Sequence, residues 1–273
     1  MGWRQRFEDR PLIMGVLNIT PDSFYDGGRY AAPGAAIEHA VRLIEEGADI
    51  IDVGGDSTRP YTDATPVEEE LDRVIPLIKA IRARSDVFIS IDTYKARVAQ
   101  EALDAGADMI NDVSGLSFDA GMAEVVADAK VPVVIMHMKG TPKEMQVKPR
   151  YDDVIGEITD FFSERVAFAT QCGIDEDNII LDPGIGFGKR LGDNLMIIKE
   201  LRRFKELGKP VLIGTSMKTF IGRLTGSPDP EERVEGTLAS VALCLWNGAD
   251  IVRVHDVKKA RRVATLVRAV MKA

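Results

Sequence analysis

The sequence predicts an α/β fold in which eight parallel strands close into a barrel, with helices between them. Three observations carry this expectation: eight short apolar runs that each close on a polar residue, helical spacing between most of them, and a Gly-Ala-Asp design that recurs before three of the runs. A strand buried on both faces reads as a near-continuous apolar run, and parallel strands joined by helices are buried in this way. Eight such units in 273 residues match the TIM (β/α)8 barrel, whose functional groups project from the carboxyl ends of the strands.

In chain order the runs are LIMGVL closing on Asn18, ADIID on Asp52, VFISID on Asp92, ADMIN on Asn111, PVVIMH on His137, NIILD on Asp182, PVLIGTS on Ser216 and DIVRVH on His255. Gly47, Gly106 and Gly248 each close a helix, because glycine tolerates the left-handed C′ position, and a short turn then feeds the next strand. Thr65-Pro66-Val67-Glu68 and Asp229-Pro230-Glu231-Glu232 read as helix starts with a cap, a proline at N1 and a glutamate at N3. Val234, Leu238, Val241 and Leu245 form an apolar stripe that suits core packing or a subunit interface. Two connections exceed what a barrel needs, Asn18 to Pro33 after strand 1 and Gly54 to Thr65 after strand 2. Long loops on the catalytic face are commonly lids or binding loops.

The whole chain, 1–273, reads as a single domain, since no linker or low-complexity tract interrupts it. A net charge of −8 gives no broad electrostatic footprint for nucleic acid or an anionic membrane, so any anion site must be local. The opening MGWRQRFEDR lacks an apolar targeting segment and no run approaches the roughly 20 residues of a membrane span, so a cytoplasmic location is expected. Cys172 and Cys244 lack CxxC spacing and read as buried small hydrophobes.

At the barrel mouth Asp92, Asn111 and Asp182 offer acceptors and an amide, whereas Arg59, Lys218, Arg253 and His255 offer positive charge or donors. A ligand with a guanidine-like N–H edge would satisfy a buried carboxylate in bidentate fashion, and the cationic group suits phosphate or pyrophosphate. Arg253 and His255 lie two residues apart on one strand face, so both can reach one anion. Asp182-Pro183-Gly184-Ile185-Gly186-Phe187-Gly188-Lys189 is not a phosphate loop: proline stands where the Walker spacing needs glycine, and no Ser/Thr follows the lysine. Its glycines instead allow a sharp turn behind Asp182. His137 and His255 have no companion at zinc spacing, and His39 is a surface or boundary residue of its helix.

The stretches GVLNITPDSFYDGG, DVGGDSTRP, SIDTYKARVAQEAL, INDVSG, VVIMHMKGTP, LDPGIGFGK, IGTSMKTFIG and EGTLASVALCLWNGADIVRVHDV resemble those of the dihydropteroate synthases, in order and over nearly the whole barrel. That resemblance implies a TIM barrel that condenses 6-hydroxymethyl-7,8-dihydropterin pyrophosphate with p-aminobenzoate, giving 7,8-dihydropteroate and pyrophosphate in folate synthesis. It further implies that Asp92, Asn111, Asp182 and Lys218 hold the pterin, and that Asn18 helps hold Mg²⁺ with the pyrophosphate. Thr58, Arg253 and His255 would contact pyrophosphate oxygens. Asp22 and Asp26 would organise the closed site, Phe24 and Arg59 would border the p-aminobenzoate pocket, and Thr219 would meet its carboxylate at a helix N-terminus. A homodimer is implied as well.

The chain departs from the family pattern at Met217, where arginine commonly precedes the site lysine, and at Asp56 and Tyr61 around STRP. Two rival readings share the barrel: a pterin-binding methyltransferase acting on a corrinoid protein, and a paralogue that binds pterin without turnover. Lys218, HMKGTP and Arg253-Val254-His255 suit a pyrophosphate-bearing substrate better than a methyl donor.

Overall fold

The computed structural model describes residues 3, 10–19, 32–56, 64–141, 143–145 and 147–273. Its strands follow the expected order: β1 (Leu12–Asn18), β2 (Ile50–Gly54), β3 (Phe88–Asp92), β4 (Met109–Asp112), β5 (Val133–Met136), β6 (Ile179–Asp182), β7 (Leu212–Ile213) and β8 (Ile251–Val254). They lie in the spatial order β6-β5-β4-β3-β2-β1-β8-β7, and every named pairing is parallel. One parallel bridge, Leu181 to Val211, joins β6 to the chain entering β7 and closes the ring. The short β7 follows Pro210, which has no N–H for the ladder but accepts a bond from Leu181 N at 2.9 Å.

Around the barrel run α1 (Ala32–Glu45), α2 (Val67–Arg82), α3 (Ala96–Asp104), α4 (Met122–Ala129), α5 (Val154–Gln171), α6 (Leu191–Lys199), α7 (Thr219–Thr225), α8 (Val234–Trp246) and α9 (Val257–Lys272). Both α7 and α8 follow β7. The three predicted helix-closing glycines have positive φ, 97° at Gly47, 112° at Gly106 and 98° at Gly248. Two helix starts differ from expectation. Pro66 is the N-cap of α2, with no side-chain cap bond, because the helix begins one residue later than the proline-at-N1 reading. Asp229-Pro230 opens a 3₁₀ turn, Pro230–Arg233, ahead of α8.

Apolar burial is divided by the barrel wall. Outside it, the helices cover a large cluster that includes Ile13, Ile51, Ile89, Ile110, Val133, Leu181 and Phe162. Inside it, Leu12, Met14, Ile50, Phe88, Met109, Val134, Ile180, Leu212 and Ile251 fill the amino-terminal end, with Trp3 packed beneath them. Side chains alternate across a strand, so the residue two positions after each plug residue also faces inward. Among those positions are Asp52, Ser90, Asn111, Asp182 and Arg253, which places polar groups from five strands directly above the apolar layer. Asp52 therefore lies inside β2, two residues short of its end, and not at the rim that its place in the apolar run suggested.

In α8, Val241 and Leu245 of the predicted stripe are buried, whereas Leu243 and Trp246 are exposed. Cys244 is buried, but Cys172 is exposed, against the expectation for it, because it caps the solvent-side end of α5. His39 is half-buried, as a boundary residue should be. Among the described residues no helix is long and apolar enough to cross a membrane.

Candidate active site

The strand register sets the first row of the mouth: Asn18, Gly54, Asp92 and Asn111 stand side by side across β1 to β4. A Cβ at position 54 would lie 3.2 Å from Asn18 Oδ1 and 3.4 Å from the Asp92 Cβ. The missing side chain thus lets an amide oxygen and a carboxylate approach each other over β2.

Below this row Asp52 is wholly buried and accepts from two site residues: Arg253 Nε at 2.6 Å and Asn111 Nδ2 at 3.1 Å, both on Oδ2. A carboxylate can only accept, so the Asn111 amide must turn its NH₂ toward Asp52 and present Oδ1 as an acceptor elsewhere. Arg253 Nη2 also donates to Asp92 Oδ2 at 2.7 Å. Arg253 consequently joins the acidic floor instead of standing with a separate cationic group. Burial opposes its charge, yet the carboxylates of Asp52 and Asp92 hold its pKa above the ordinary arginine value. Burial pushes Asp92 up to about 7 even with Arg253 pulling the other way.

Across the barrel, Asp182 ends β6, and its Oδ1 accepts Gly184 N–H at 2.8 Å. That bond needs the sharp turn the glycines were expected to supply. Gly184 has φ 67°, and a Cβ on it would stand 2.1 Å from the carbonyl oxygen of His137. Burial raises Asp182 to about 6, opposed by the Gly184 bond and by Lys218. Lys218 is lowered to about 8 by burial and by Arg253, with Asp182 and Asp92 supporting its charge. Its ammonium lies 4.4 Å from the centre of the Phe187 ring, so the glycine-rich turn brings an aromatic face to the site lysine.

Lys218 is presented by a strained turn. Met217 has φ 58°, a left-handed conformation that non-glycine residues rarely adopt. Its N–H is bonded to Thr237 Oγ1 at 3.0 Å, and its carbonyl to Arg233 Nη1 at 2.9 Å. Thr219 is the first residue of α7 and is exposed, as the helix-N-terminus expectation requires.

His255 lies just past β8, exposed, with Nδ1 at 2.9 Å from Ser216 Oγ. The structure thus gives Arg253 and His255 different neighbours, the acidic floor for one and Ser216 for the other. His137 is buried against the edge of Phe161, with ring centroids 4.9 Å apart, and burial drives its pKa down to about 2. It is a neutral core histidine. Asp22, Phe24, Asp26, Thr58 and Arg59, with Tyr61, lie outside the described residues.

Asp52, Ser216 and Lys189 were given no role by the sequence reading. The parity of β2 signals Asp52, since Ile50 faces the barrel interior and Asp52 shares that face. Among the described residues no group of three or more His, Cys, Asp or Glu could hold a metal ion. Asn18 Oδ1 and the Asp92 side chain both border the space above Gly54, and oxygen donors are what Mg²⁺ would take there with phosphate and water completing its shell.

Residues 14–255 match the family model described as pterin binding enzyme. A dihydropteroate synthase of Bacillus subtilis (strain 168) is 48% identical over 265 residues, covering 97% of this chain and 90% of that protein. The solved Xanthomonas albilineans dihydropteroate synthase with 4-aminobenzoic acid superposes with a TM-score of 0.92 at 48% identity, covering 97% of this chain and 94% of that one. The same organism's enzyme in complex with 7,8-dihydropteroate gives 0.89 at 45% identity, with 97% and 95% covered.

Proposed function

Because the chain belongs to the pterin-binding enzymes, as a dihydropteroate synthase, we propose that its barrel mouth condenses 6-hydroxymethyl-7,8-dihydropterin pyrophosphate with p-aminobenzoate through the residues placed above. The observation that carries the residue assignment is the presence at one barrel mouth of Asn111, whose NH₂ is committed to Asp52 so that its Oδ1 is left to accept, and of the buried carboxylate Asp182 with Lys218 supporting its charge. An aminopyrimidine edge offers adjacent N–H donors, and two acceptors on a rigid floor select for it by leaving a wrong ligand's groups unpaired.

In the reaction the exocyclic C–O bond of the pterin pyrophosphate breaks, and its electron pair leaves with the pyrophosphate oxygen. The nitrogen lone pair of p-aminobenzoate then forms the C–N bond and the amine gives up a proton. Asp182 and Asn111 orient the ring, and Asp92 faces the positive charge that develops on it. Arg253 and His255 receive the leaving pyrophosphate. For Arg253 this means sharing a guanidinium that Asp52 and Asp92 already orient, so the donor is fixed before the anion arrives. Mg²⁺, held by Asn18 together with pyrophosphate oxygens, would supply charge neutralisation at the leaving group.

Thr219 would meet the carboxylate of p-aminobenzoate, with Phe24 and Arg59 bordering it, Thr58 on the pyrophosphate, and Asp22 and Asp26 organising the closed site. A homodimer is proposed through α8, where Leu243 and Trp246 are exposed at 54% and 49% on one helix face. A cytoplasmic location is proposed with it, as expected from the lack of an apolar run long enough to span a membrane. The test of the function is pyrophosphate release from the pterin substrate with and without p-aminobenzoate. Release that depends on the amine is expected, and amine-independent hydrolysis or no release would contradict the proposal.

A further inference from the structure

The scheme above gives no part to the buried cation of Lys189. Lys189, 4% exposed, places its Nζ 3.1 Å from the carbonyl of His137, 3.0 Å from the carbonyl of Phe187 and 3.0 Å from His137 Nδ1. An ammonium has three N–H groups and here meets three acceptors, provided His137 Nδ1 is unprotonated. A histidine whose pKa is driven down to about 2 is neutral, and the ammonium donor 3.0 Å from Nδ1 selects the tautomer with its proton on Nε2.

These acceptors belong to two separate pieces of chain: the segment leaving β5 and the glycine-rich turn after β6. The two pieces are in backbone contact, for a Cβ on Gly188 would stand 2.4 Å from the carbonyl oxygen of Lys139, as one on Gly184 would meet His137. The turn is laid flat on residues 137–139, and Lys189 fastens it there. On the opposite side the turn touches the site, with Phe187 beneath the Lys218 ammonium and a Cβ at Gly186 only 3.5 Å from Lys218 Cδ.

The charges around this lysine also point into the site. Burial lowers Lys189 to about 7, Asp182 and Asp193 support its charge, and Lys218 and Lys139 oppose it. Asp182 in turn is held toward its ionised form by the Gly184 bond, Lys218, Lys189 and Arg253, against burial.

Resting on the reading of Asp182 and Lys218 as pterin-binding groups, we infer that Lys189 is a positioning residue for the pterin: its ammonium fastens the glycine-rich turn beneath Lys218 and so holds in place Gly184, whose N–H bonds Asp182. A hydrogen-bonded second layer of this kind sets the precision of the groups that touch substrate.

The test compares unaltered protein with Lys189→Met, each confirmed as folded by thermal melting, using the KM of each substrate and kcat across the pH range of the Asp182 and Lys218 titrations. The expected result is a rise of about ten-fold or more in the pterin pyrophosphate KM, on the scale of losing a charge-assisted bond. The p-aminobenzoate KM should stay within about two-fold, and the acid limb of the pterin profile should move to higher pH. A lysine needed only for stability would lower the melting temperature and leave that limb in place. If Lys189→Met does not fold, Lys189→Gln, which keeps N–H donors and loses the charge, should show the same limb shift. An unchanged KM and limb, or two variants that both fail to fold, would overturn the inference. Absence of dihydropteroate from the unaltered protein would instead count against the function itself.

Discussion

Asp52 Oδ2 accepts Arg253 Nε at 2.6 Å from the far side of β1, and the same oxygen accepts Asn111 Nδ2 at 3.1 Å. One buried carboxylate thereby orients a group proposed for pyrophosphate and a group proposed for the pterin edge. Asp52→Asn keeps the shape and can put its amide oxygen where Oδ2 accepts both bonds, but it removes the charge and buries an NH₂ at the Oδ1 position, which has no partner among the described residues, leaving the guanidinium with Asp92 as its remaining carboxylate. The variant should lose about 2–3 kcal/mol of stability, somewhat less than breaking a buried pair outright, and should be impaired toward both halves of the pterin substrate. Urea unfolding and substrate KM values check this, and wild-type values in both would count against it.

A pH profile should report the two carboxylates and the lysine beside the pterin. Asp182 acts as a carboxylate and its pKa is about 6, so affinity falls as pH drops through that value. Lys218 acts as an ammonium with a pKa of about 8, so affinity falls again as pH rises through that value. Asp92, the other carboxylate facing the pterin, is pushed up to about 7 and titrates within the same acid limb, so pterin pyrophosphate kcat/KM should be bell-shaped with its maximum between about 7 and 8. A profile flat across both limbs would remove these groups from the site.

The left-handed turn at Met217 depends on bonds made from the start of α8. Thr237→Val removes the acceptor of the Met217 N–H and should destabilise the protein by about 1–2 kcal/mol. It should also raise the pterin KM, because Lys218 is the next residue. Placing the family's arginine by Met217→Arg, in contrast, should alter the p-aminobenzoate KM by less than about five-fold, the scale of one solvent-screened charge. Steady-state kinetics on the two variants distinguish the effects.

Much of this site is legible in the sequence because a polar residue that closes an apolar run has few places to go. Asp92, Asn111 and Asp182 were found on that ground, and the barrel places all three at its mouth. The same logic misplaced Asp52, because β2 continues through Val53 to Gly54, and only the inward parity shared with Ile50 reveals its position. It also grouped Arg253 with His255 by their spacing of two, a spacing that does not reveal their partners: Asp52 and Asp92 for Arg253, and Ser216 beside the neighbouring β7 for His255. Lys189 was hidden for a different reason. Lysine reads as a surface residue, and its burial is decided by the β5 segment, about fifty positions earlier in sequence, on which the turn rests.

The most direct test of the central claim is calorimetric binding of 6-hydroxymethyl-7,8-dihydropterin pyrophosphate to the unaltered protein and to Asp182→Ala near neutral pH. Each hydrogen bond to a charged group is worth about 1.5–3 kcal/mol, so losing a bidentate edge should weaken binding by at least about a hundred-fold. Equal affinity in a folded Asp182→Ala variant would mean that the pterin is read elsewhere and would contradict the account.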